Sequence, residues 1–119
     1  NLRLQYLANI RLSGADLSST NLSGVNFSDA DLTGVNLNNA NLRKANLHGA
    51  NLAGANLTDA NFSDTKLTSA NLRGAELSQV DFRNCNLTGA NFVGTDLKET
   101  HFFQSEFFFV YHLDDRMMP

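Results

Sequence analysis

The sequence predicts an all-β solenoid of square cross-section with about five to six coils, and three observations predict it. Leu or Phe recurs every five residues over twenty-two consecutive positions, from Leu2 to Phe107. All eight glycines share one phase of that period, and five of them recur at a spacing of twenty, at positions 14, 34, 54, 74 and 94. A five-residue period fits neither a helix nor a long strand, so the chain must turn once in every unit.

Each unit is interpreted as three extended residues followed by a two-residue corner. The first residue is small and apolar (the Ala position), the second is Asn or Asp (the Asn position), and the third is Leu or Phe (the centre position), as in 40–42. Residues two apart in an extended chain point to the same side, so the Ala and centre positions are predicted to face inward. Glycine then falls on the second corner residue, where a type II turn requires positive φ.

The spacing of the glycines sets the number of sides. A repeat of twenty residues is four units, whereas a three-sided coil would repeat every fifteen, and positions 29 and 44 are Asp29 and Lys44. One corner column lacks glycine, so it is expected to turn differently or to tolerate strain. Its members are Ser19, Asn39, Asp59, Gln79 and Glu99.

Units such as 40–44 and 45–49 (Ala-Asn-Leu-Arg-Lys and Ala-Asn-Leu-His-Gly) resemble the Ala-Asp/Asn-Leu-x-x pattern of the pentapeptide-repeat family, over about nine-tenths of the chain. The resemblance implies a right-handed quadrilateral β-helix. Departures from the pattern cluster toward the C-terminal half, where the repeat constrains the coil geometry less. They are Gln5, Thr65, Thr95, Thr100 and Ser105 at the Ala position and Lys66, Glu76, His101 and Glu106 at the Asn position.

Two segments are predicted: a pentapeptide-repeat β-helix over 1–107 and a C-terminal cap or dimerisation tail over 108–119. The five-residue register fails after Phe107, because position 112 is His112. A solenoid ends in an open backbone edge, and the aromatic residues near this break are predicted to cover it. A homodimer contact at the same end is the alternative, because the resemblance implies such dimers. The candidate residues are Phe103, Phe108, Phe109 and Tyr111.

Charge and composition exclude several classes of function. Nine Lys and Arg against twelve Asp and Glu give a net charge of −3, so direct nucleic-acid binding is not expected. No apolar stretch approaches the length of a membrane span, and no signal-peptide core is visible. A cytoplasmic location is expected, with a processed or secreted form as the alternative because the chain begins at Asn1.

Arranging the sequence on a period of twenty separates the surface charges. The face centred on positions 17, 37, 57, 77 and 97 carries five acids against Lys98, a balance of −4. This acidic face is the candidate interaction surface: Asp16, Asp59, Glu76, Asp96 and Glu99. The next face has a balance of +2, from Arg3, Arg43, Lys44 and Arg83 against Asp64 and Asp81. Such asymmetry either steers a partner or merely solvates the rod, and the second interpretation is favoured.

No catalytic, cofactor or metal site is predicted. His48 and His101 fall on different faces, and Cys85 occupies an Ala position, where it is expected to be buried and unreactive. Asn columns are expected to form hydrogen-bonded ladders between coils. Three phenylalanines at a spacing of twenty are expected to stack inside the coil as an aromatic ladder: Phe62, Phe82 and Phe102.

The predicted function is a non-catalytic scaffold whose rigid faces bind a protein of unknown identity, alone or as a module of a larger protein. The alternative, which the resemblance implies, is a DNA-mimicking binder or inhibitor of a type II topoisomerase.

Overall fold

A computed structural model of the chain describes residues 5–106 and residue 110. Within these residues there is no helix and no strand longer than a single bridge residue. Every Asn position from Tyr6 to Glu106, except Asp96, forms a parallel β-bridge with the residue twenty positions away. Four units therefore complete one coil, and the described coils span 6–25, 26–45, 46–65, 66–85 and 86–105. The four-sided prediction is confirmed.

Three backbone hydrogen bonds join each regular unit to its neighbours in the stack. In the unit of Leu52, the N–H of that residue donates to the carbonyl of Asn71 at 2.6 Å, and Gly54 N–H donates to the carbonyl of Arg73 at 2.9 Å. The N–H of Asn71 donates in return to the carbonyl of Ala50 at 2.9 Å. Because interior units are bonded to the coils before and after them, little backbone freedom remains along the rod.

Leu and Phe side chains fill the interior as the five-residue period predicts. Centre positions from Leu22 to Leu97 are at most 3% exposed, and Ala positions from Val25 to Thr100 are at most 6% exposed. The core thins at the N-terminal end, where Leu7, Leu12 and Leu17 are only partly buried. Among the aromatic side chains, Phe62 and Phe82 lie 5.5 Å apart with tilted rings, and Phe82 stacks on Phe102 at 5.3 Å.

The corners share one backbone geometry. Among the described residues at the second corner position, eleven non-glycine residues and all eight glycines have φ between 55° and 79°. In the described corners other than the one before Cys85, the N–H of the following Ala position closes the turn, as where Ala55 donates to the carbonyl of Leu52 at 3.0 Å, which is the pattern of a type II turn. The column without glycine mostly tolerates strain, because Asn39 (φ 61°) and Gln79 (φ 61°) adopt the same conformation.

Of the described corners, only the one at Glu99 has its second residue outside the left-handed region of φ. Gln79 N–H also donates to the carbonyl of Glu99 instead of that of Lys98. The bridge between Glu76 and Asp96 is also missing. The irregularity therefore loosens the stack locally, in the C-terminal half where the departures from the repeat cluster.

The expected role of the Asn columns is wrong in one respect. The side-chain oxygen of an Asn or Asp accepts a hydrogen bond from the backbone N–H two residues later, at the corner of its own unit, as where Asn41 Oδ1 binds the N–H of Arg43 at 3.0 Å. Fifteen units within the described residues share this bond. The short side chain reaches its own corner more easily than the next coil, so these residues stabilise turns.

The predicted C-terminal cap falls mostly on residues outside the described part of the chain. Phe108, Phe109 and Tyr111 are among them, whereas Phe103 is described and is 69% exposed. Val110 is partly buried and packs against the core.

Candidate interaction surface

The acidic face is a real surface feature, and all five of its predicted residues are exposed. Asp16 and Glu76 belong to one column of Asn positions, linked by successive bridges through Asn36 and Asn56. Three coils separate them, which is about 14 Å along the rod. Asp59 lies in the adjoining corner column, where its φ is 62°.

The irregular corner gathers three of the five acids around a groove. Glu76, Asp96 and Glu99 line a groove of about 430 Å³ together with Thr58, Gly74, Ala75, Leu77, Ser78 and Gly94. Glycine at Gly74 and Gly94 leaves one wall without side chains, so backbone is accessible there. The structure thus brings together three of the five predicted residues, and places Asp16 and Asp59 outside the groove.

Local hydrogen bonds stabilise the charged form of the first acid of this face. Asp16 accepts from the hydroxyl of Ser18 at 2.7 Å and from its backbone N–H at 3.0 Å. These bonds stabilise the carboxylate and lower the pKa of Asp16 below its ordinary value. At the other end of the face, Gln79 Nε2 donates to Glu99 Oε2 at 2.7 Å, which orients one wall of the groove.

The neighbouring basic face concentrates its charges at one corner. Arg43 Nε binds Asp64 Oδ2 at 3.1 Å, and Arg83 binds Asp81 through Nε at 2.9 Å and Nη2 at 2.7 Å. Both arginine side chains are about half exposed, at 52% and 56%. The guanidinium of Arg83 holds the pKa of Asp81 below its ordinary value, chiefly through these hydrogen bonds.

The described residues contain no group of three or more His, Cys, Asp or Glu side chains arranged to hold a metal ion. His48 instead pairs its Nδ1 with the hydroxyl of Thr68, at 2.5 Å. His101 occupies an Asn position, and its backbone forms a parallel β-bridge with Asp81 one coil earlier. No helix within the described range has the length and apolar character that a membrane crossing requires.

Sequence reasoning found the acidic face but missed the groove within it and the arginine corner. The groove depends on the local turn at Glu99, for which the sequence gives no signal. The arginine corner was visible as an alternation of long and short residues at a spacing of twenty: Arg43, Ser63 and Arg83.

Comparison with known proteins agrees with this geometry. The family model described as pentapeptide repeats matches residues 10–49, 45–84 and 65–104. The chain belongs to the pentapeptide-repeat family. Members of this family fold as right-handed quadrilateral β-helices. Family membership therefore establishes the right-handed coil, which the five-residue period alone does not determine.

Solved pentapeptide-repeat proteins are similar to the chain in structure. HetL, involved in heterocyst differentiation regulation in the cyanobacterium Nostoc sp. strain PCC 7120, is 31% identical over 85% of this chain and 56% of HetL, with a TM-score of 0.72. Rfr23 from the cyanobacterium Cyanothece 51142 is 27% identical over 92% and 88% of the two chains, with a TM-score of 0.60.

A third pentapeptide-repeat protein, from the thylakoid lumen of Arabidopsis thaliana, is 34% identical over 83% of this chain and 62% of its own, with a TM-score of 0.54. The chain therefore spans less than two thirds of the length of HetL and of the Arabidopsis protein. The comparison with curated proteins found no match.

Proposed function

We propose that this pentapeptide-repeat chain is a non-catalytic scaffold that binds a protein partner through its acidic face. The observation that carries the proposal is the convergence of Glu76, Asp96 and Glu99 on one groove of about 430 Å³. Three carboxylates around a concave surface favour a partner segment that presents Lys or Arg side chains. The partner class is thus a protein with an exposed basic segment.

Rigidity of the solenoid supports this role. Interior units are hydrogen-bonded to coils on both sides, so the recognition surface exists before the partner arrives and binding orders little backbone. Leu, Phe and Ala side chains fill the interior of the coil. A filled interior supports binding of a partner at the outer faces.

The acidic groove is tested by charge reversal with a matched control. Wild-type protein and the variant Glu76→Lys/Asp96→Lys/Glu99→Lys are used as baits in native lysate, and each captured protein is then purified and titrated. The control bait reverses two exposed acids away from the groove, Asp29→Lys and Glu106→Lys.

A partner of the acidic face must bind wild type and the control bait, lose at least tenfold in affinity for the groove variant, and weaken as salt is raised. Equal affinity for all three baits would place recognition elsewhere on the molecule. Circular dichroism of each bait checks that the coil is intact.

The DNA-mimic alternative stays a prediction and receives less support from the surface. A mimic of duplex DNA requires continuous negative charge around the rod. Arg43, Lys44 and Arg83 form a positive corner on the face next to the acidic one. Inhibition of a purified type II topoisomerase by the wild-type chain would favour that alternative over the scaffold.

A further inference from the structure

The corner column of the basic face contains a notch with two arginine walls. Arg43, Ser63 and Arg83 follow one another at a spacing of twenty, so the two guanidinium groups are carried two coils apart, about 10 Å along the rod. Ser63 between them is short and 8% exposed, because its hydroxyl and N–H are both bonded to Asn61 Oδ1. A long, short, long succession leaves a pocket of about 310 Å³, the arginine notch, lined also by Asp64, Asn84, Phe103 and Gln104.

Hydrogen-bonding capacity remains on both walls of the arginine notch. Arg43 uses only Nε in its bond to Asp64, so its two terminal NH₂ groups have no partner among the described residues. Arg83 uses Nε and Nη2 with Asp81, which leaves Nη1. Ion pairs this exposed contribute little to stability, so an incoming anion can share or replace them at small cost.

An exposed aromatic ring completes the arginine notch at its C-terminal side. Phe103 follows Arg83 in the same corner column and is 69% exposed. Large exposed apolar side chains are few in the described chain, the others being Tyr6 and Val93. The arginine notch therefore offers two kinds of contact close together: the arginines can bind a carboxylate, and the ring can pack against an apolar side chain.

We propose that the arginine notch binds an acidic peptide segment of a partner protein, with a carboxylate between Arg43 and Arg83 and an apolar side chain on Phe103. Guanidinium groups bind carboxylates through paired hydrogen bonds where two nitrogens are available, which matches the two NH₂ groups of Arg43, and Nη1 of Arg83 adds a donor from the other wall. Arg43, Lys44 and Arg83 exceed Asp64 and Asp81 by one positive charge, so an anion is attracted to this corner. The arginine notch lies on a different face from the acidic groove. Binding of an acidic peptide at the notch can therefore be tested independently of binding of a basic segment at the groove.

Other anionic partners fit the surface less well. A nucleic acid is a long run of phosphates, and it would be repelled by the acidic face on the adjoining side of the rod. A membrane surface requires a broad apolar plane with surrounding basic residues, whereas the notch presents a single ring beside paired arginines. A short acidic segment requires only the notch itself.

Fluorescence anisotropy with the full chain tests the proposal. The probe is a fluorescein-labelled peptide, Glu-Glu-Phe-Glu-Glu, and its matched controls are Gln-Gln-Phe-Gln-Gln and Glu-Glu-Ser-Glu-Glu. We expect saturable binding of the first peptide that weakens with salt, and weaker binding of each control. Absence of saturable binding, or equal binding of the Gln peptide, would overturn the proposal. Binding to vesicles of phosphatidylserine and phosphatidylcholine without binding to the peptide would overturn it as well.

Variants of the chain locate the binding. Arg43→Gln/Arg83→Gln is expected to raise the Kd at least tenfold, whereas Arg73→Gln, at an exposed corner of another face, leaves it unchanged. Phe103→Ser is expected to raise the Kd about fivefold, with Tyr6→Ser at the far end of the rod as its control. Gln104→Glu adds a negative charge to the notch without changing side-chain size. The proposal requires that this variant bind the acidic peptide more weakly than wild type, and this test remains available if the double arginine variant is unstable. Loss of affinity in the controls as large as in the notch variants contradicts the assignment.

Discussion

The thiol of Cys85 donates a hydrogen bond to the backbone carbonyl oxygen of Phe62, one coil earlier, at a distance of 2.8 Å. The hydroxyl of Thr65 lies 3.0 Å from the same sulfur and donates to the same carbonyl. Cys85 is 2% exposed, and burial raises the pKa of its thiol to about 11. The neutral thiol therefore acts as a small core residue at an Ala position, as its place in the repeat predicts.

Cys85 is expected to resist thiol reagents while the coil is folded. Alkylation requires the thiolate, which burial and the raised pKa disfavour at neutral pH. Mass spectrometry after treatment with iodoacetamide at pH 8 is expected to find unmodified native protein and singly modified protein in 8 M urea. Complete modification of the native protein within minutes would show that the sulfur is accessible.

A truncation in the middle of the core should be costly. Leu52 is fully buried, so Leu52→Ala removes burial and leaves a cavity that the stacked coils cannot close, and it is expected to destabilise the fold by about 2 to 5 kcal/mol. Leu12→Ala at the partly buried first coil is the matched control and should cost less. Urea unfolding followed by circular dichroism measures both, and equal midpoints would contradict the inward assignment of Leu52.

The corner geometry predicts opposite effects of the same substitution at two positions. Lys44 has a φ of 64°, which strains a residue with a side chain, whereas Glu99 lies outside the left-handed region. Lys44→Gly is therefore expected to stabilise the protein by about 1 kcal/mol, and Glu99→Gly to destabilise it by roughly 0.5 to 1 kcal/mol. Thermal unfolding of the two variants against wild type measures the difference, and a gain in stability for Glu99→Gly would be inconsistent with its observed turn.

Glu99 also shows how far the sequence determines this fold. The five-residue period and the glycine phase predict the inward residues and the four sides, because each unit repeats the same local choice. The period does not predict where one corner leaves the pattern, since Gln79 and Glu99 are both non-glycine residues in one column and only the second departs. Nor does it predict that the side-chain oxygen of Asn41 binds the corner of its own unit. A partner in the next coil competes for the same side chain, and the period does not say which of the two lies closer.

Acid should weaken the corners that depend on carboxylates. Hydrogen bonds from Ser18 and Thr33 lower the pKa values of Asp16 and Asp31 in the folded chain. A depressed folded pKa contributes stability above the unfolded value of roughly 4 and loses it as pH falls through the folded value. Urea midpoints are therefore expected to fall between pH 5 and pH 2 because of these groups.

Asn at the same two positions supplies the acceptor oxygen without a titrating proton. Asp16→Asn/Asp31→Asn should therefore reduce the loss of stability in acid relative to wild type. Asp59→Asn is the control, because that side chain forms no hydrogen bond among the described residues. An acid response of the double variant identical to that of wild type would remove these corners from the explanation.

The aromatic C-terminus is predicted to close the last coil or to join two copies of the chain. Seven Phe, Val and Tyr residues lie between Phe102 and Tyr111, where the register ends, and a solenoid edge left open would pair with other chains. The two roles are separated by Phe108→Ser/Phe109→Ser/Tyr111→Ser. A cap predicts a lower melting temperature with a monomer mass by light scattering before and after the change. A dimer contact predicts that wild type scatters as twice 13.0 kDa and that the variant does not. A cap contributes to stability and solubility, and a dimer contact determines the mass of the particle. Removal of residues 108–119 without effect on stability, solubility or mass would therefore exclude both roles.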